Sequence, residues 1–356
     1  MDHAPPPAPV AAGTTTAARS VLGRLEPDLL RVRRSVVAAA AAGLPTADAP
    51  FTHYVRRQGR LFRPVLTLVS AYVCDGPRTP SQGDRLIAAA TAVELLHLAT
   101  LCHDDLCDRA ATRRGHPTVN AEFGDDAALL AGDHLIACAM SVLAGIGGDA
   151  TRIAGETLKE LCLGQLLELD AVHRLDRTEG AYFTVVSGKT AALMAACARL
   201  GASAAGASEA DRDIMARFGH SLGVAFQIWD DVLDIWAPPG ITGKPPGKDV
   251  ENGVFTLPVI HALRQGGTEL PRLLTRRPFT PRDHEAVVRE LDRLGSRRYA
   301  VEAARARIAD ALAGVRELGS SVDAVAPLVE VARHLMPEID HLLPQGPGPD
   351  GEGTAP

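Results

Sequence analysis

Two groups of aspartates share one spacing. Asp104, Asp105 and Asp108 close one apolar run, and Asp230, Asp231 and Asp234 close another, so both read DDxxD. In a helix, Asp104 and Asp108 lie one turn apart on one face, as do Asp230 and Asp234, while Asp105 and Asp231 lie about 100° round from their neighbours. Three carboxylates on one turn repel one another, and the negative end of the helix dipole adds to the cost. A chain that accepts this cost twice needs cations at both places. Mg²⁺ suits them: it takes oxygen ligands, keeps waters, and is held by a few carboxylates together with substrate phosphates.

Basic residues trail both clusters. Arg113 and Arg114 follow the first, in RRGHPT; Lys244 and Lys248 follow the second, in TGKPPGKD. Arg60 and Arg63, in RRQGRLFRP, open another helix. Such cations would bind the phosphate oxygens that metals do not reach. Lys189 and Thr190, in SGKTAALM, lack the GxxxxGK[ST] spacing and the preceding strand of a nucleotide-binding P-loop. Facing an apolar cavity, they would instead hold phosphate and stabilise developing positive charge. His97 precedes Asp104 by two helical turns on the same face.

The elements that must position these residues read as helices. The chain is 46% hydrophobic but only 4% aromatic, and no alternating strand pattern of useful length appears. Pro/Gly punctuation leaves helices of about 15–25 residues. Residues 1–20 and 343–356 are rich in Pro, Gly, Ala and Thr and are expected to be disordered tails around one all-α domain spanning 21–342. A net charge of −6 offers no basic footprint for nucleic acid. No uninterrupted apolar stretch of ~18 residues occurs, so no transmembrane segment is expected. The longest candidate, Leu86 to Cys102, is broken by Glu94 and His97. With no secretory leader pattern and six scattered cysteines, a cytoplasmic location is expected.

The run VELLHLATLCHDDLCDRAATRRGHPT resembles the first aspartate-rich region of the trans-isoprenyl diphosphate synthase (polyprenyl synthetase) family, and FQIWDDVLDI followed by GKPPGKD resembles the second. SGKTAALMAACARLGA, FGDDAALLAGDHL and TLPVI resemble other blocks of that family, so the likeness spans roughly residues 25–340. It implies a bundle of long helices around a central cavity, the isoprenoid synthase fold, usually homodimeric, with three Mg²⁺ between the aspartate regions. By that resemblance, Asp104, Asp105, Asp108, Asp230, Asp231 and Asp234 would hold the metals and an allylic diphosphate. Arg113, Lys189 and Lys244 would also touch that diphosphate. Arg60, Arg63, His97 and Arg114 would bind isopentenyl diphosphate, and Thr190 and Gln227 would face a carbocation. The sequence departs from the family pattern where Arg60 replaces Lys, Leu61 replaces Arg and Val254 replaces Lys.

The chemistry so implied is ionisation of the allylic diphosphate, with charge neutralised by metals and by Arg and Lys, followed by attack of the isopentenyl alkene. Ala99 and Thr100 sit five and four residues before Asp104. Being small, they would leave the chain's path open, predicting a medium-to-long all-trans product. A class I terpene cyclase on the same fold is the rival reading, and the departures at Leu61 and Val254 would suit it. Retention of Arg60, Arg63, His97 and Arg114 argues for the synthase.

Overall fold

The computed structural model describes residues 21–43, 49–76, 79–237, 246–319 and 324–336. Lys244 and both expected tails lie outside them. In chain order the helices are α1 (Val21–Ala41), α2 (Ala49–Thr52), α3 (Phe62–Tyr72), α4 (Pro80–Cys107), α5 (Val119–Phe123), α6 (Asp125–Ile146) and α7 (Ala150–Asp170). Then come α8 (Glu179–Val186), α9 (Ala192–Ala205), α10 (Glu209–Trp236), α11 (Lys248–Glu251), α12 (Leu257–Arg264), α13 (Glu269–Leu274), α14 (Pro281–Arg293), α15 (Ser296–Val315) and α16 (Val325–Leu335). The all-α expectation holds. Among the described residues the only strands are β1 (Thr112–Arg113) and β2 (His116–Pro117), a two-residue antiparallel hairpin.

Local signals set the helix ends. α4 starts on a reciprocal capping box between Thr79 and Gln82, with Pro80 in the first turn. Ser208 caps α10 by accepting from the Asp211 amide. α9 stops at Gly206 in the left-handed conformation.

Helix α4 is the axis of the bundle. Its buried residues, among them Leu86, Val93, Leu96 and Ala99, occupy all sides, as a helix surrounded by neighbours must. It packs on α1, α3, α6 and α9, while α10 packs on α9 and α15. A smaller core of Ile235, Phe255, Leu274 and Leu291 joins the end of α10 to α12–α14. Both acidic clusters therefore sit at the ends of long, firmly packed helices.

One expectation needs correction. Three helical stretches, Pro80–Cys107, Asp125–Ile146 and Glu179–Ala205, are long and apolar enough to cross a membrane by length and composition. Demanding an uninterrupted apolar run missed them, because mean hydropathy tolerates an occasional Glu, His or Lys. The first and third are mostly buried inside the protein, at 78% and 61%, but α6 is only 28% buried. The exposed side of α6 carries Leu129 and Leu130, and neighbouring α7 exposes Leu163, Leu166 and Leu169.

Candidate active site

The first cluster closes α4: Cys107 is the last helical residue and Asp108 caps it, its amide donating to the Asp104 carbonyl at 2.8 Å. Asp104 and Asp108 open onto a cleft, and burial raises both carboxyl pKa values while nearby Lys189 opposes the rise. Asp105 points elsewhere. It is 1% exposed, accepts the Tyr54 hydroxyl, and receives a bidentate fork from Arg113 at 2.7 and 2.9 Å. Arg113 is placed by the hairpin, whose central residues Arg114 and Gly115 both have positive φ (52° and 78°), as a type I′ turn requires.

The second cluster closes α10. Asp230 and Asp231 line the same cleft. Both oxygens of Asp231 are engaged: the Tyr182 hydroxyl donates at 2.5 Å and the Gln227 amide at 2.9 Å. Burial raises the Asp231 carboxyl far above its ordinary range, with these two hydrogen bonds opposing. Asp234 is buried and anchors the returning chain. Its carbonyl accepts from the Gly247 amide at 2.6 Å and its carboxylate from the Asp249 amide at 3.2 Å. Asp249 joins the cleft lining.

The third wall is a π-helical turn, Ser187–Ala191, set between α8 and α9. Its widened turn shifts the register of the side chains that follow, a device found often at functional sites. Lys189 pairs with Glu168 of α7, and the Thr190 hydroxyl donates to the side-chain amide oxygen of Gln227 at 2.8 Å. Burial alone would lower the Lys189 pKa, but Glu168 and Asp104 more than offset it and the net direction is up. The ammonium is therefore a fixed positive charge.

These walls enclose a cleft of about 500 Å³ lined by Asp104, Asp108, Arg113, Glu168, Lys189, Thr190, Gln227, Asp230, Asp231 and Asp249. Of the six expected metal-binding aspartates, Asp104, Asp108 and Asp230 line the cleft. Asp105 and Asp234 do not line it, and Asp231 lines it with both oxygens occupied. The DDxxD pattern therefore mixes two jobs: some of its aspartates face the cleft, while Asp105, Asp231 and Asp234 spend their carboxylates on hydrogen bonds that hold the surrounding chain.

A second cleft of about 360 Å³ adjoins the first through Arg113. Arg57, Arg113, Arg114 and His116 line it, and no Asp or Glu does. The Arg114 guanidinium lies so close to Gly59 that a Cβ there would fall 2.3 Å from Nη1. Arg63 and His97 are partly buried, and Arg63 Nε and His97 Nδ1 have no hydrogen-bond partner. Burial, then Arg63 and Arg114, hold His97 well below its ordinary range, so its imidazole is neutral. Arg60 is not gathered with them: it is exposed, with its backbone against His334. Ala99 is fully buried in the core and Thr100 half-buried, its hydroxyl donating to the His97 carbonyl at 2.8 Å.

Sequence reasoning passed over Tyr54, Tyr182, Glu168, Arg177 and Asp249. Glu168 alone left a local signal, a charge inside the apolar run LCLGQLLEL.

A family model described as polyprenyl synthetase matches residues 45–291. The chain belongs to the polyprenyl synthetase family. It is 39% identical to the nonaprenyl diphosphate synthase of Mycobacterium tuberculosis, over 67% of this chain and 70% of that protein. It is 38% identical to the geranylgeranyl diphosphate synthase of the same organism, over 75% and 78%. The structure resembles a decaprenyl diphosphate synthase from Rhodobacter capsulatus, with a TM-score of 0.80 and 27% identity over 88% of this chain and 96% of that one. The polyprenyl synthetase described here is thus a trans-prenyl transferase with the isoprenoid synthase fold.

The carboxylates that line the cleft suit a hard divalent cation. They are all oxygen donors, spread over opposing walls, and among the described residues no group of three His, Cys, Asp or Glu side chains closes round an ion. A cation there would keep coordination sites for substrate phosphates, which fits Mg²⁺ rather than a metal needing a complete protein cage.

Proposed function

We propose that this polyprenyl synthetase joins isopentenyl diphosphate to an allylic diphosphate in a Mg²⁺-dependent condensation, giving a medium-to-long all-trans polyprenyl diphosphate. The observation that carries the reading is the pair of adjoining clefts. One offers carboxylates together with Lys189 and Arg113; the other offers cations only, and Arg113 stands between them.

Asp104, Asp108 and Asp230, with Glu168 and Asp249 beside them, would hold Mg²⁺, in a number the family resemblance puts at three. Bound Mg²⁺ supplies Lewis-acid stabilisation of the charge that grows on the departing diphosphate. Lys189 and Arg113 add fixed charges to the same oxygens, Lys244 being assigned there by resemblance alone. Arg114, with Arg57 beside it, would hold the diphosphate of the second substrate, and the buried unpaired atoms of Arg63 and His97 would complete that site. By the family resemblance, Thr190 and Gln227 would face the positive charge that develops on the allylic carbon. No side chain in the first cleft is placed as an obvious general base, in keeping with proton loss to the leaving diphosphate.

The enzyme is proposed to work as a dimer of identical chains, paired through α6 and α7, where Leu130 and Leu166 are 58% and 64% exposed. Six free cysteines suit the reducing cytoplasm, where we place it. The test is to incubate the chain with Mg²⁺, farnesyl diphosphate and labelled isopentenyl diphosphate. Label in an extractable polyprenol after dephosphorylation supports the reading. Label left in isopentenyl diphosphate while farnesyl diphosphate becomes a hydrocarbon would replace it with the cyclase reading.

A further inference from the structure

Four buried or partly buried groups form an unbroken line along one wall of the reaction cleft. The Tyr182 hydroxyl donates to one oxygen of Asp231 at 2.5 Å, and Gln227 Nε2 donates to the other at 2.9 Å. The Thr190 hydroxyl donates to Gln227 Oε1 at 2.8 Å. Tyr182 and Asp231 are each 2% exposed and Thr190 is 8% exposed, so water does not compete for these bonds.

The direction of the line follows from the chemistry of its members. In the structure Tyr182 and Gln227 each donate to Asp231, so the NH₂ of Gln227 faces it and the amide oxygen faces away. Thr190 has one proton and gives it to that oxygen. The Thr190 proton and one Gln227 N–H are thereby held within the line, and the remaining lone pairs on Thr190 Oγ1 and Gln227 Oε1 are left for the cleft. Acceptor lone pairs presented there favour a developing positive charge.

Tyr182 is itself clamped. The Arg177 guanidinium lies 5.6 Å above its ring and donates to the Phe255 carbonyl at 2.9 Å, fastening α8 to the segment before α12.

We propose that Tyr182 is a positioning residue for prenyl transfer: through Asp231 it fixes the amide of Gln227, and hence the hydroxyl of Thr190, with acceptors toward the reacting carbon. This rests on the prenyl-transfer reading above.

The test uses the full chain as wild type, Tyr182→Phe, Gln227→Leu and the double variant, with Mg²⁺, farnesyl diphosphate and isopentenyl diphosphate. Tyr182→Phe keeps the ring and removes only the hydroxyl. It is expected to lower kcat roughly tenfold, leave both KM values within about twofold, and raise the share of allylic substrate released as alcohol. The double variant is expected to be no slower than Gln227→Leu alone, because both changes break one line. Wild-type turnover in Tyr182→Phe, or losses that multiply in the double variant, would overturn the proposal. If Tyr182→Phe does not fold, Asp231→Asn replaces it: one acceptor becomes a donor, the Gln227 amide can turn over, and the same kcat loss at unchanged KM is expected. Wild-type turnover there overturns the proposal equally. A wild-type chain that leaves isopentenyl diphosphate untouched defeats the prenyl-transfer reading and this inference with it, whereas an active wild type beside an indifferent Tyr182→Phe defeats the inference alone.

Discussion

Gly164 on α7 and Gly188 in the π turn meet backbone to backbone. A Cβ on Gly164 would lie 2.4 Å from the Lys189 amide nitrogen, and one on Gly188 would lie 2.7 Å from the Glu160 carbonyl oxygen. This contact brings the helix of Glu168 against the turn of Lys189, so the ion pair at the floor of the cleft depends on two absent side chains.

Gly164→Ala and Gly188→Ala should therefore each destabilise the fold by about 1–3 kcal/mol, the usual range for overpacking, because the opposing atoms are backbone and cannot swing aside. Helix propensity alone predicts the opposite sign, a gain of up to about 1 kcal/mol per replacement. Thermal unfolding decides between them. Turnover should fall as well, since Lys189 and Glu168 are pushed apart.

Asp104 and Asp105 are neighbours in sequence with different work to do. Asp104→Asn should leave the melting temperature nearly unchanged and lower kcat by roughly 100-fold or more, through loss of charge stabilisation in the cleft. Asp105→Ala removes the partner of Arg113 and of the Tyr54 hydroxyl, and should cost about 3 kcal/mol of stability. Urea denaturation and steady-state kinetics on both variants separate the two effects.

Glu94 gives the fold a pH dependence of definite sign. Burial, opposed by Arg63 and Arg114, raises its carboxyl from the ordinary 4.5 to about 7. Between those values the folded chain keeps a proton that the unfolded chain releases, so stability falls as pH rises from about 4.5 to about 7 and levels off above. Glu94→Gln removes this slope. Relative to the variant, the wild type should lose about 3 kcal/mol between pH 4.5 and 7.5 in urea titrations. Parallel curves for the two proteins would contradict the assignment.

Product length should respond to Ala99 and Thr100. On the proposal that the growing chain runs along α4 past these two residues, a Phe at either position should shorten products sized by chromatography by one or more isoprene units. Ala99 is fully buried in the core, so Ala99→Phe should also lower stability by about 1–3 kcal/mol. Thr100 is half-buried, and Thr100→Phe should change length with a smaller penalty. Unchanged products from both variants would place the limit of chain growth elsewhere.

The helices and the first rank of site residues were legible because their signals are local. Apolar periodicity marks a helix, and aspartates closing an apolar run stand out from the residues beside them. Arg113 was legible for the same reason, as a cation trailing an acid cluster. The division of labour within each DDxxD was not legible, because it depends on Tyr54 and Tyr182, which arrive from other helices and carry no mark of their purpose. Glu168 showed only as a lone charge in an apolar run, which does not reveal its partner Lys189, and Asp249 sat in a short motif beside two lysines. The π turn was invisible, since five residues of altered pitch do not disturb the apolar pattern around them. Arg60 read as a substrate ligand by its place in the motif, yet the chain turns it outward beside α16.

Carboxylates on opposing walls are proposed to hold one diphosphate through divalent metal, with Lys189 and Arg113 completing the grip. Isothermal titration of inorganic pyrophosphate into the wild type, Asp104→Asn and Asp230→Asn, with Mg²⁺ and then with EDTA, tests it most directly. Tight binding by the wild type in Mg²⁺ alone, lost with EDTA and weakened at least tenfold by either substitution, is the predicted result. Binding that is indifferent to EDTA, or to the loss of either carboxylate, would contradict it.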